Sequence, residues 1–136
     1  MGTWAVDAFG NDFAQDWAED LHEVSNMDAV ADTLNTVLDS GAELEAPFAA
    51  EALVAIEVLA RLQGKGGERT EDSAAVDEWV DARKPKFKPR ADLALKAQQA
   101  IERILSEQSE LRALWAESEH FEEWRASVLE LQSRLA

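Results

Sequence analysis

Between Pro47 and Leu62 the chain reads Pro-Phe-Ala-Ala-Glu-Ala-Leu-Val-Ala-Ile-Glu-Val-Leu-Ala-Arg-Leu, with charges only at Glu51, Glu57 and Arg61. A helix that is apolar on nearly all sides has to be enclosed by protein or lipid. With three charges it is too short and too polar to span a bilayer, which needs about 20 apolar residues. The pattern therefore predicts a central helix over 47–62, with Pro47 in its first turn and Gly64 as a left-handed stop.

The flanking segments alternate apolar and polar positions at helical spacing. A first helix, capped by Asn11 and running to about Val24, is predicted to turn Phe13, Trp17, Leu21 and Val24 inward. Its other face is Asp12, Asp16, Glu19, Asp20 and Glu23. A second follows Asn26, with Met27, Val30, Ala31, Leu34, Val37 and Leu38 on one side and Gly41 as its stop. Beyond the loop at 64–72, Ser73 or Asp72 is expected to cap a fourth helix that buries Val76, Trp79 and Val80 and ends before Pro85. The stretch 84–90, rich in lysine and proline, reads as an extended, polyproline-like loop.

A fifth helix from Ala91 places Leu93, Ala97, Ala100, Ile101, Ile104 and Leu105 together. A sixth starts at Ser109 with Leu111, Leu114 and Trp115. A last one carries Phe121, Trp124, Val128, Leu131 and Leu135. Residues 1–10 read as an ordered, non-helical arm anchored by Trp4, Val6 and Phe9. No strand or internal repeat is indicated. The expected fold is all-α: one domain over 1–136, with six or seven helices packed around 47–62.

Charge changes this picture more than composition does. The net charge is −15. Residues 1–60 hold thirteen Asp and Glu and no Lys or Arg, whereas 61–136 hold thirteen basic and fifteen acidic groups. Such a surface repels nucleic acid and anionic lipid and attracts basic proteins. One basic run interrupts it: Arg83, Lys84, Lys86, Lys88 and Arg90, with Phe87 among them. That run has the look of a nucleic-acid contact, but the overall charge opposes one, so a solvated loop or a strap over the acidic half is expected. The absence of cysteine excludes disulfides and thiolate chemistry. The opening residues have neither the basic nor the apolar region of a secretory signal, and Val6 breaks a myristoylation pattern, so the expected location is cytoplasmic.

Met1-Gly2-Thr3-Trp4, Phe9, Asn11-Asp12, Ala14 and Asp16-Trp17, with Ser109-Glu110-Leu111-Arg112-Ala113-Leu114-Trp115 later, resemble the two recurring segments of a bacterial family known as domain of unknown function 4259. Ala5 departs from it, standing where a glycine is expected. The resemblance implies a small helical cytoplasmic protein and carries no established activity.

Residue chemistry offers few sites. Asp7, Asn11, Asp12 and Asp16 have oxygen ligands suited to a hard cation, but a helix cap and a solvated face account for the same residues. Glu19, His22 and Glu23, and Glu119, His120, Glu122 and Glu123, would form a carboxylate–histidine centre only if their helices faced each other. The first set lies off the apolar stripe, and the second lacks the Glu-x-x-His spacing. Gly64-Lys65-Gly66-Gly67 lacks the order of a phosphate loop.

The expectation is a non-enzymatic module, of the immunity-protein or inhibitor kind, that binds a basic protein. Asp12, Asp16, Glu19, Asp20, Glu23, Asp28, Asp32 and Asp39 would supply its contact charge. No cofactor, metal or membrane is called for, and the chain would be a monomer or homodimer. The alternatives are a metal-dependent hydrolase using the carboxylate and histidine sets, and self-association of the basic run with the acidic face.

Overall fold

A computed structural model describes residues 9, 12–21, 28–66, 71, 73–86 and 91–135. Seven α-helices occur among them: α1 (Asp12–Leu21), α2 (Asp28–Leu38), α3 (Ala46–Leu62), α4 (Ala74–Arg83), α5 (Ala91–Ile104), α6 (Glu110–Ala116) and α7 (Phe121–Leu135). The described residues contain no strand, so the protein is all-α. Of the sequence expectations, the arm residues Trp4 and Val6, the cap Asn11, the extension of the first helix to Val24, and Met27 lie outside the described residues.

From Ala52 to Leu62 every residue of α3 is buried, and the helix touches all six others. Each Leu, Ile or Val enclosed in this way contributes about 1.5–3 kcal/mol of transfer free energy. Both ends of α3 are defined by specific contacts. Pro47 occupies the first turn, where its missing N–H leaves no hydrogen bond unmade, and the Ala46 N–H donates to the Glu110 carboxylate at 2.8 Å. At the other end, Lys65 N–H reaches Ala60 O at 2.8 Å and Gly64 N–H reaches Arg61 O at 3.0 Å. This is the paired closure of a Schellman motif, and Gly64 takes the positive φ it requires, +77°. An added Cβ there would meet only Lys84 Nζ at 3.9 Å, so any penalty is conformational. Gly64→Ala is expected to cost about 1–2 kcal/mol in urea unfolding.

The first helix departs from its expected face. Ala14, Ala18 and Leu21 are buried, while Phe13 and Trp17 lie half-buried at the edge. Small alanines let α1 approach α3 closely. The indole has to remain at the boundary because its N–H needs a partner, and it donates to Thr33 Oγ1 at 2.9 Å, which ties α1 to α2.

Two further expectations are corrected. Lys84–Lys86 forms a 3-10 turn continuing from α4 rather than an extended loop. The fixed φ of Pro85 fits such a turn, and the i→i+3 pattern asks for few hydrogen bonds. Ser73 stands at the start of α4 but does not cap it with its side chain; its hydroxyl donates instead to Asp77 Oδ2 at 2.7 Å.

The C-terminal helices close the bundle. Trp124 of α7 stacks on Trp115 of α6, with ring centroids 6.3 Å apart and planes 10° from parallel. Ser109 caps α6 by accepting from Arg112 N–H at 3.2 Å. Leu44, fully buried ahead of α3, forms an isolated parallel bridge with Ser109: its N–H donates to Gln108 O at 2.9 Å, and Glu110 N–H donates to its carbonyl at 2.8 Å.

Candidate functional site

The molecule holds two charge systems, one buried and one exposed. The buried one was not assigned from the sequence. Glu57 and Arg61 are buried on the same turn of α3, 3.6 Å apart. Arg61 Nε lies 3.2 Å from Asp77 Oδ1 of α4, and its guanidinium sits 5.1 Å from the centroid of the buried Phe9 ring. From α7, Arg134 grips Glu57 with two donors, at 2.6 and 3.1 Å, while its Nε reaches Glu130 at 2.6 Å. The third partner of Arg134 is the Lys65 carbonyl, at 3.2 Å. Burial by itself would lower the Arg134 pKa, but the hydrogen bonds and charges of Glu57 and Glu130 more than reverse this and raise it. The network joins α3, α4 and α7. Its signal in the sequence is a Glu-x-x-x-Arg pair inside a helix that is otherwise apolar all round.

The exposed system follows the sequence closely. Asp12, Asp16, Glu19 and Asp20 of α1, Asp28 and Asp32 of α2, and Asp39 just beyond α2 all face solvent; Glu23 lies outside the described residues. Both helices pack against α3, and the Trp17–Thr33 hydrogen bond ties the two together. Glu51 of α3 senses them. Its carboxyl is held above the usual carboxylate range, first by burial and then by the charges of Asp20 and Asp16.

The sign of that shift gives a prediction. A carboxyl whose pKa is raised in the folded state binds its proton more tightly there, so it favours folding below that pKa and loses the contribution as pH rises through it. Glu51→Gln is therefore expected to raise the thermal midpoint at pH 7, with the gain over wild type shrinking as the pH falls through the carboxylate range. A gain that is the same at every pH would show that Glu51 does not carry the repulsion.

Between the end of α2 and the first turn of α3 lies an open groove of about 550 Å³. Asp32, Asp39, Glu43 and Glu45 supply four carboxylates, and Asn35, Thr36 and Ser40 add neutral polar groups. Phe48 contributes an aromatic ring that is 39% exposed. None of the described residues lining it is basic. The turn that forms one wall is braced from behind: Arg103 of α5 donates to Ser40 Oγ at 3.1 Å and to the Gly41 carbonyl. Glu43, Glu45 and Phe48 were not singled out from the sequence, since nothing in their spacing predicts a concave surface.

The other candidates are placed as follows. Among the described residues, no group of three His, Asp or Glu side chains is arranged to hold a metal ion; Asp7, Asn11 and His22 lie outside them. His120 is exposed and sits 3.4 Å from Glu123 at the start of α7, with Glu119 and Glu122 also in solvent. In the basic run, Arg83 folds back over the Trp79 ring, 4.3 Å from its centroid, and donates to the Trp79 carbonyl at 3.3 Å. Lys84 is exposed, and Phe87, Lys88 and Arg90 lie outside the described residues. No described helix is long and apolar enough to cross a membrane.

A family model described as "Domain of unknown function (DUF4259)" matches residues 2–127. No curated protein and no solved structure matches the chain.

Proposed function

Because the chain belongs to the DUF4259 family, whose description names no activity, we propose from its own surface that it is a non-enzymatic protein-binding module, of the inhibitor or immunity-protein kind, for a basic partner. The observation that carries this reading is the set of exposed carboxylates on α1 and α2, from Asp12 to Asp39, with no Lys or Arg before Arg61 to neutralise them. Like charges held together repel, and the pKa of Glu51, raised first by burial, is raised further by Asp20 and Asp16. That repulsion is relieved when a cationic surface docks. Complementary charge chiefly accelerates association and sets specificity, and its effect falls as salt rises.

The test is a pull-down from host lysate at low and high salt, using wild type beside the triple reversal Asp16→Lys, Glu19→Lys, Asp32→Lys. A basic protein held by wild type at low salt, reduced at high salt and lost with the triple variant is the expected result. Capture that is indifferent to the reversal at low salt would overturn the reading.

A further inference from the structure

We propose that the groove between α2 and α3 is the seat for an arginine side chain presented by a basic segment of the partner. This deepens the acidic-surface reading and rests on it. Three separate features of the groove favour a cation. Asp32, Asp39, Glu43 and Glu45 surround it, and no basic residue is among its described lining. The groove also borders the C-terminal end of α2, where the helix dipole is negative. The last turn of α2 itself holds no basic residue and Asp39 just beyond adds to its negative end, while Arg103 reaches that end from α5, at Ser40 and Gly41, without lining the groove. Third, Phe48 is exposed on a helix that is otherwise largely enclosed, and an aromatic face attracts cations.

Arginine fits this combination better than lysine. Its flat guanidinium can lie on a ring and pair edge-on with a carboxylate at once, whereas an ammonium is a compact, strongly hydrated charge. Guanidinium groups already lie on rings in this molecule, Arg61 on Phe9, Arg83 on Trp79 and Arg112 on Phe121, and Arg61 pairs with Asp77 at the same time. Among the described residues no arginine covers Phe48. The groove is also preorganised, because Arg103 braces the 40–41 turn and Glu110 holds the first N–H of α3. Little ordering is then left for the incoming segment to bring about. At about 550 Å³ it has room for a side chain and part of the backbone that presents it.

The experiment titrates acetylated, amidated octa-arginine and octa-lysine peptides into the protein at low salt by calorimetry. Wild type is expected to bind octa-arginine more tightly. Phe48→Ala is expected to weaken octa-arginine about fivefold, the size of one exposed cation–π contact, and to change octa-lysine less than about twofold. Phe48→Leu, which keeps an apolar side chain and so guards against loss of folding, should also abolish the preference. Asp39→Asn with Glu43→Gln should weaken both peptides. Equal binding of the two peptides, unaltered by either Phe48 variant, would overturn the groove while leaving the acidic surface standing. Failure of wild type to bind either peptide would overturn both.

Discussion

Replacing Glu57 by alanine is expected to lower the unfolding free energy by about 3–5 kcal/mol, the usual loss when one member of a buried ion pair is removed. Glu57 is 7% exposed and stands between two arginines, Arg61 and Arg134. Without it Arg134 retains Glu130, but at a largely exposed carboxylate, where a pair contributes at most about 1 kcal/mol. Arg61 would remain 5% exposed with Asp77 as its carboxylate among the contacts described. Against a typical total of about 5–15 kcal/mol, the loss is large enough to populate the unfolded chain at modest urea concentrations. A second measurement separates a lost pair from lost packing. Glu57→Gln keeps the volume and removes the charge, so it should fall most of the way to the alanine variant. A glutamine variant as stable as wild type would show that shape, not charge, is what the site requires.

The second large effect is expected at Trp124. Its side chain is 2% exposed, stacks on Trp115 and has Phe121 tilted against it at 6.1 Å. Trp124→Ala removes one of the two tryptophans that join α6 to α7, and a Trp-to-Ala change in a core costs about 3–5 kcal/mol. Stacked aromatics add about 0.5–1.5 kcal/mol beyond the area they bury, so Trp124→Leu should recover part of the loss and not all of it. Urea unfolding supplies the free energies, and near-ultraviolet circular dichroism reports the Trp115–Trp124 pair directly. A loss below about 1 kcal/mol for the alanine variant would mean that α7 docks through its aliphatic residues alone.

Helices were legible where local chemistry and burial agree. Pro47, Gly41 and Gly64 punctuate the chain where the backbone turns, and the steps from Trp124 to Leu135 match the buried stripe of α7. The depth of the first helix is less legible: Leu21 is buried as its spacing predicts, but hydrophobicity alone is a poor guide to which neighbours go deepest. Alanines at 14 and 18 go deeper than Phe13 and Trp17, since close approach of two helices favours small side chains over large ones. At 84–86 the composition suggested extension, but the preceding helix supplies a template on which Pro85 can add one tighter turn. The acidic residues from Asp12 to Asp39 were legible as a set because charge with helical period has one place to go. The groove was not, because a concavity depends on how a turn is braced from residues more than 60 positions away.

That bracing bears on how the protein is made. The turn ahead of α3 is completed by Arg103, Ser109 and Glu110, and the buried carboxylate of Glu57 waits for Arg134, 77 residues further along. A ribosome therefore delivers a stretch of unrelieved negative charge first and its counterions afterwards. Until Arg134 arrives, Glu57 has Arg61 of the same helix as its described cation. A chain broken off before Arg134 lacks the two-donor contact to that carboxylate, so it is expected to open more often than the full chain and to be cleaved faster by an added protease.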